Sequence, residues 1–191
     1  NKFYELEKSV TGETMNSKVD KLRKILKKNN INYLYISSGE NVCWLLNIRG
    51  KDLPNSPLAN CKILFNTKGK LYLLTDLEKT SNLKKKNFKD VIFLSENNFF
   101  SIICNFDKGN FCIDKNSCSI FEENLIRSKF KIVSRTDPIY DFKSLKNSTE
   151  IKNTQKVHII DGVAVTKFLY WFKKRKKNFS EKQIEKKLES F

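Results

Sequence analysis

Short apolar runs alternate with helical segments through the first 134 residues, and this alternation limits the possible folds more than any other feature. The runs lie at 31–37, 61–66, 70–75, 90–95, 110–114 and 131–134. Helices are predicted before and between them, at 19–26, 40–47, 77–86, 97–105 and 117–129. Strands that alternate with helices favour an α/β layer structure with a mostly buried sheet.

Two local signals define parts of this pattern more closely. Apolar residues at helical spacing over 19–26 predict a helix behind a cap at Asn16 or Ser17. The runs 61–66 and 70–75 are separated by three residues that end in Gly69. This pair is predicted to form a β-hairpin in which the glycine supplies the turn.

The stretch from Trp44 to Pro57 is an apolar turn that leads into a polar loop with two prolines. Proline fixes φ and pushes the residue before it toward extended geometry, so a helix that begins at Glu40 must end near Asn47. The loop then presents Arg49 and Asp52. Two interpretations stay open: these charges tie the loop to itself, or they form the wall of a cleft.

A long helix is predicted after the Asp137-Pro138 pair breaks the alternation. Asn147 with Glu150 three residues later is typical of a capped helix start, and apolar residues continue at helical spacing over 151–172. Ser180 with Gln183 repeats the capping signal. The predicted division is an α/β domain over 1–140, a linker over 141–147 and a helical segment over 148–191.

Several motifs resemble one known family. The run Trp-Leu-Leu-Asn-Ile-Arg-Gly at 44–50, followed by Asp52 and Pro-Asn-Ser-Pro, is similar to the signature of the middle domain of aminopeptidase P. Residues 146–172 and 180–191 are similar to the opening helices of that family's catalytic domain. The resemblance implies a creatinase N-terminal-like mixed sheet flanked by helices, then the opening helices of a truncated pita-bread (α+β) catalytic domain.

The resemblance also implies a function for a longer parent protein. That parent would be a metal-dependent, homodimeric hydrolase that releases the N-terminal residue preceding proline (Xaa-Pro), with two divalent ions, usually manganese. In the family the metal ligands lie on the sheet that follows these helices. We therefore expect no catalytic residue, no metal ligand and no bound cofactor in this chain, and no activity from it alone. The alternative is a metal-free creatinase-like binding or scaffold module.

The charge is strongly positive, with 37 Lys and Arg against 21 Asp and Glu. Such an excess often indicates nucleic acid or an anionic membrane as partner. Here the lysines are spread along the chain, and only 84–86 and 173–177 form runs, each predicted to be a solvated helix end. We predict no nucleic-acid and no membrane partner; the expected partners are Xaa-Pro peptides.

The cysteines are odd in number and form no C-x-x-C pair, so they are interpreted as reduced core residues. No apolar run approaches the ~20 residues that a membrane span needs. Both observations favour a cytoplasmic protein. The cysteines lie at Cys43, Cys61, Cys104, Cys112 and Cys118.

The single histidine, His158, has Asp161 three residues later, a spacing that can place both on one helical face. Two side chains do not complete a hydrolytic metal site. His158 is therefore interpreted as a structural or cleft-facing residue, and it joins Arg49 and Asp52 as a cleft-facing candidate. The scattered glycines disfavour a nucleotide site, and nothing marks Cys43 as a nucleophile.

Overall fold

A six-stranded mixed sheet forms the centre of the first of two units. This computed structural model describes residues 1–175 and 178–191. The units are Asn1–Leu145 and Lys146–Phe191. The strands are β1 (Tyr4–Glu5), β2 (Tyr33–Ile36), β3 (Ile48–Arg49), β4 (Lys62–Asn66), β5 (Leu71–Leu74), β6 (Val91–Leu94), β7 (Asn110–Ile113) and β8 (Lys131–Ser134).

The large sheet has the strand order β6-β5-β4-β2-β7-β8, while β1 and β3 form a separate antiparallel pair. β4 is antiparallel to β2 and to β5; the pairs β5–β6, β2–β7 and β7–β8 are parallel. The predicted hairpin of β4 and β5 is confirmed. Gly69 lies in this turn, where its N–H donates to the Asn66 carbonyl at 3.4 Å, and its φ is not positive. A Cβ there would lie 3.1 Å from the side-chain nitrogen of Asn66.

Six α-helices and three 3-10 turns accompany these strands. The helices are α1 (Lys8–Thr11), α2 (Met15–Lys28), α3 (Gly39–Leu46), α4 (Phe99–Cys104), α5 (Ile120–Arg127) and α6 (Ile139–Ser144). The cap of α2 is Thr14, whose hydroxyl accepts from the Ser17 N–H at 3.3 Å. The predicted cap at Asn16 or Ser17 is therefore wrong, because the helix begins earlier than its apolar face.

The predicted helix over 77–86 is also wrong, because this segment forms two 3-10 turns, Leu77–Asn82 and Lys85–Phe88. Asp76 accepts from the Glu78 N–H at 3.0 Å, and the Thr80 hydroxyl donates to the Leu77 carbonyl at 2.7 Å. Such side-chain bonds to the local backbone compete with an α-helical ladder.

Each face of the large sheet packs against its own helices. Leu34 and Ile36 of β2 join the core that contains residues of α2, α3 and α6. Tyr33 and Tyr35 point to the other face, among residues of α4 and α5. This alternation follows from the two-residue period of a strand, and each fully buried large side chain contributes roughly 1.5–3 kcal/mol.

The segment after β8 is tied to the sheet through buried polar groups. The Asp137 N–H donates to the Asp114 carboxylate at 2.9 Å, and the Asn41 amide donates to the Asp137 carboxylate at 2.8 Å. Helix α6 follows at once, and its first residue, Ile139, is completely buried. Residues 141–144 of the predicted linker over 141–147 therefore belong to α6.

The second unit consists of two helices, α7 (Ser148–Lys174) and α8 (Glu181–Glu189). The Asn147 side chain accepts from the Glu150 N–H at 3.0 Å, and the Glu150 carboxylate accepts from the Asn147 N–H at 2.9 Å. The predicted capping box is confirmed. The second predicted start is confirmed as well, since the Ser180 N–H donates to Gln183 at 2.9 Å.

Helix α7 carries many apolar side chains that remain exposed. In the described part of this helix none is buried. The exposed ones are Ile151, Val157, Ile159, Ile160, Val163, Val165, Leu169 and Tyr170, at 47–70 % of their full accessibility. Among the residues that the structure describes, no helix is long and apolar enough to cross a membrane.

The described lysines of the two basic runs are exposed. Lys84, Lys85 and Lys86 are exposed beside and within a 3-10 turn. Lys173 and Lys174 close the last turn of α7, where cations complement the negative helix end. The run continues to Lys176 and Lys177, which lie outside the described residues.

Candidate functional site

Helix α3 ends in a left-handed residue that begins the loop with Arg49 and Asp52. Asn47 has a φ of 54°, and its N–H donates to the carbonyls of Cys43 and Trp44. Asparagine tolerates this conformation better than most residues with a side chain. The predicted helix end near Asn47 is thereby confirmed.

The Asn47 side chain joins three parts of the first unit. Its oxygen accepts from the Lys18 ammonium at 2.7 Å, and its amide donates to the Glu13 carbonyl at 2.8 Å. Lys18 is only 1 % exposed; it also donates to the Trp44 carbonyl at 2.9 Å and lies 3.9 Å from the centroid of the Trp44 ring. No pattern in the sequence predicts the burial of this lysine.

Arg49 is half-buried and turns back onto the end of α3. Its guanidinium donates to the Cys43 carbonyl at 3.1 Å and to the Ile48 carbonyl at 2.8 Å. A cation at this position adds a charged donor at the carboxyl end of α3, where positive charge complements the negative helix end. Arg49 therefore fixes the direction in which the loop leaves α3.

Asp52 is held by the other side of the same loop. Its carboxylate accepts from the Asn60 N–H at 2.8 Å and from the Lys79 ammonium at 2.9 Å, and the side chain is 10 % exposed. Burial alone would raise the pKa of Asp52, but the hydrogen bonds from Asn60 and Lys79 together lower that pKa below its ordinary value. Asp52 is therefore ionised at neutral pH.

Gly50 lets the loop fold back on itself between these two charges. The Gly50 N–H donates to the Pro57 carbonyl at 3.3 Å, and the Asp52 N–H donates to the Leu58 carbonyl at 3.1 Å. A Cβ at position 50 would lie 2.8 Å from the Cα of Ala59, which is closer than side-chain contacts allow. Within the signature run, Asn47, Arg49 and Gly50 each help to fix the backbone course from the end of α3 into the loop.

His158 lies in the second unit. It is exposed on α7, as is Asp161 one turn later. The structure thus places the three cleft-facing candidates in two groups: Arg49 and Asp52 on one loop of the first unit, and His158 on a helix of the second.

A second polar centre, also missed by the sequence analysis, lies between the sheet and α5. The Tyr35 hydroxyl donates to the Glu122 carboxylate at 2.5 Å, and the Lys62 ammonium donates to the same oxygen at 2.8 Å. Burial raises the pKa of Glu122, but hydrogen bonds from Lys62, Tyr35 and Ser119 outweigh it and lower that pKa. The pKa of Tyr35 is raised, first by burial and then by its bond to Glu122.

A metal site requires several ligating side chains that converge on one ion. Across residues 1–175 and 178–191, no group of three or more His, Cys, Asp or Glu side chains is arranged to hold an ion. The described side chains therefore do not fit the dinuclear centre that the family resemblance implies.

Comparison with a family model decides the classification. The model of the Creatinase/Prolidase N-terminal domain matches residues 1–150. The chain belongs to this family. The resemblance to aminopeptidase P is confirmed, because Xaa-Pro aminopeptidase 1 of Dictyostelium discoideum is 29 % identical over 200 residues, covering 100 % of this chain. The chain spans 31 % of that relative's length.

Two further proteins extend the comparison. Protein pid-5 of Caenorhabditis elegans is 29 % identical over 182 residues, covering 91 % of this chain and 17 % of pid-5. The crystal structure of X-prolyl aminopeptidase from Caenorhabditis elegans, a cytosolic enzyme with a di-nuclear active site, matches with a TM-score of 0.88 at 22 % identity. That match covers 100 % of this chain and 32 % of the enzyme. The predicted mixed α/β sheet of the creatinase N-terminal type is thus confirmed.

Proposed function

We propose that this chain is a non-catalytic part of a metal-dependent aminopeptidase that releases the N-terminal residue preceding proline. The observation that carries the proposal is the match of the whole chain, at 29 % identity, to an Xaa-Pro aminopeptidase. The substrates of the parent would be peptides with proline at the second position. Its active form would be a cytoplasmic homodimer without a nucleic-acid or membrane partner.

The proposed division of the parent follows the sequence analysis. Residues 1–140 would form the non-catalytic creatinase-like domain, 141–147 the linker, and 148–191 the first helices of a pita-bread catalytic domain. The two divalent ions, manganese by family resemblance, would be held by residues of the parent outside this chain. This chain alone would then bind no metal and have no activity.

Within this proposal the loop of Arg49 and Asp52 forms part of the wall of the peptide cleft. His158 on α7 is a separate candidate for a cleft-facing residue of the parent. The contacts of the loop support a positioning role. Arg49 is bonded to the end of α3 and Asp52 to Lys79, so a substitution at either residue changes the course of the loop.

A direct test uses the full-length parent protein. Release of the first residue from an Xaa-Pro-Pro peptide should require Mn²⁺, stop on chelation, and fail when alanine replaces the second residue. Arg49→Lys and Asp52→Asn should raise KM for longer peptides, since they disturb the loop and not the reacting atoms. Lys51→Ala is the matched control, because this exposed neighbour lies on the same loop. Equal KM values for all three variants would show that the loop does not form part of the cleft wall.

A second function stays in view, a metal-free binding or scaffold module. It is supported by the described residues, which match a creatinase-type domain and bring no group of metal-ligating side chains together. Metal analysis of the full-length parent separates the two. About two equivalents of Mn²⁺ per chain with Xaa-Pro hydrolysis support the enzyme, whereas peptide binding without metal or hydrolysis supports the module.

A further inference from the structure

Two buried cysteines contact the same backbone residue, Ala59, at the base of the loop that carries Arg49 and Asp52. Cys43 and Cys61 are each 1 % exposed. The Ala59 N–H donates to the Cys43 sulfur at 3.3 Å. The Ala59 carbonyl accepts from the Cys61 thiol at 3.5 Å and from the Cys43 thiol at 3.9 Å. Both sulfurs therefore lie against the backbone of the same residue, Ala59.

The two cysteines lie on either side of the loop in the sequence. Cys43 lies in α3, one residue before the signature run, and Cys61 directly precedes β4. The whole loop with Arg49 and Asp52 lies between them. A covalent bond between the two sulfurs would therefore close the loop at its base.

The surroundings make the two thiols chemically unequal. A hydrogen bond with Cys61 lowers the pKa of Cys43, burial raises it, and the Ala59 N–H and the nearby Arg49 charge lower it further, so that this pKa lies below its ordinary value. The pKa of Cys61 is raised well above its ordinary value, first by the same hydrogen bond and then by burial. By contrast, burial raises the pKa of Cys112 to about 11. Of these three thiols, Cys43 is the one suited to act as a nucleophile at neutral pH.

We propose that Cys43 and Cys61 form a reversible disulfide when the protein meets a hydroperoxide. The Cys43 thiolate attacks one oxygen of the peroxide, which leaves Cys43 as a sulfenic acid and releases one water after proton uptake. The Cys61 sulfur then attacks the Cys43 sulfur, the S–S bond forms, and a second water leaves. In sum two thiols are oxidised and one hydrogen peroxide is reduced to two waters.

The disulfide restricts the loop. A cross-link between positions 43 and 61 removes conformations from the unfolded chain and from any locally opened state of the loop. Reduction by a dithiol restores the free thiols. Because both sulfurs are buried, the oxidant reaches them through local opening of the loop, and we expect slower oxidation than at the exposed Cys104.

The test exposes the folded chain to hydrogen peroxide, blocks the remaining thiols by alkylation and maps the peptides by mass. We expect a peptide that links Cys43 to Cys61, lighter by two hydrogen atoms, which dithiothreitol separates. The midpoint of thermal unfolding should rise by roughly 5 °C in the oxidised form and return on reduction.

Three variants serve as controls. Cys43→Ser and Cys61→Ser should each abolish the linked peptide and the rise in the unfolding midpoint. Cys112→Ser, at an equally buried thiol on β7, should retain both.

Three results would overturn the proposal: both thiols alkylated after peroxide treatment, oxidation confined to Cys104 and Cys118, or a linked peptide that forms only in urea. Because the mapping is done on the unsubstituted protein, a variant that fails to fold does not affect the outcome. The result is also independent of the proposed peptidase, since it involves neither metal nor peptide.

Discussion

The Lys18 ammonium and the Asn47 side chain form a buried hydrogen bond of 2.7 Å that joins α2 to the end of α3. Asn47 meets two demands at once, because it adopts a positive φ and also supplies an acceptor for a buried cation. Few residue types meet both. The most specific run of the sequence is thus explained by the way it ends a helix.

Replacement of Asn47 by alanine should destabilise the first unit by about 3 kcal/mol. The change places an alanine in the left-handed region, which costs roughly 1 kcal/mol, and leaves the buried Lys18 ammonium and the Glu13 carbonyl each without one partner. Urea denaturation followed by circular dichroism measures the loss.

Asn55→Ala is the matched control, since Asn55 has a φ of 56° but is exposed on the loop. It should cost only about 1 kcal/mol. Asn47→Gly, which relieves the backbone and loses the hydrogen bonds, should fall between the two. Equal losses for Asn47→Ala and Asn55→Ala would show that the Lys18 bond contributes nothing.

The central sheet could be predicted from sequence because its signals are local. The six strands of the large sheet lie in short apolar runs, and the hairpin joins adjacent runs. The pair β1–β3 was missed, since strands of two residues such as Tyr4–Glu5 carry no period. The helix predicted over 77–86 is wrong for another reason. The composition of this segment suits a helix, but the side chains of Asp76 and Thr80 form hydrogen bonds with the local backbone.

The site residues were harder to predict because their partners are distant in sequence. In the sequence Lys18 resembles any solvated lysine, because its partners at the end of α3 lie far along the chain. Tyr35 and Glu122 are also distant in sequence and meet only in the folded structure. The same holds for the cysteines. All were expected in the core, yet Cys104 is exposed at the end of α4 and Cys118 is half-buried. Burial of such residues depends on packing that no local pattern encodes.

Glu122→Gln should weaken the pH dependence of stability at acid pH. The pKa of Glu122 in the folded protein lies below its ordinary value of 4.5. Its ionised form therefore contributes stability that is complete above that value and is lost as the pH falls through the folded-state pKa. In the variant, the fall in unfolding free energy between about pH 5 and pH 3 should be shallower.

The same variant should lose about 2 kcal/mol at neutral pH, since Lys62 and Tyr35 keep only a neutral acceptor. Glu123→Gln is the control on the same helix: this half-buried carboxylate pairs with Arg127 and Lys115 and not with Tyr35 or Lys62, so its loss should cost less at neutral pH. Unfolding free energies measured across the pH range test whether ionised Glu122 stabilises the fold. A profile for Glu122→Gln that parallels the unsubstituted chain would refute the assignment.

This chain alone should bind Mn²⁺ or Zn²⁺ only weakly and should release no residue from an Xaa-Pro peptide. A hydrolytic centre needs several carboxylates and usually a histidine, and the described residues bring no such set together. Calorimetric titration measures the affinity, and His158→Ala should leave the titration unchanged. Stoichiometric binding at micromolar metal concentrations would contradict this prediction.

Association with DNA or RNA should be weak and should vanish near physiological salt. Scattered lysines release counterions but make no contacts with base edges or base faces. Fluorescence anisotropy with two unrelated sequences should give the same low affinity. Replacement of Lys84, Lys85 and Lys86 by alanine should lower that affinity in proportion to charge. A sequence-selective submicromolar complex at physiological salt would contradict the prediction.

Helix α7 should be the least stable long element of the isolated chain. Many of its large apolar side chains are exposed, and each of these could return roughly 1.5–3 kcal/mol if it were buried. Without such burial, helical propensity alone supports a helix weakly. Amide hydrogen exchange should therefore be faster over 151–172 than over the β2 strand at 33–36, and the chain should self-associate through α7.

Two substitutions on α7 test the cause of this association. Ile160→Glu removes an apolar side chain that is 58 % exposed, and it should shift the chain toward the monomer in analytical ultracentrifugation. Lys156→Glu changes an exposed charge on the same helix and should have little effect. If the amides of 151–172 are as protected in the monomer as those of 33–36, α7 is already stabilised within this chain. The proposed division into a domain over 1–140 and a separate helical segment would then be wrong.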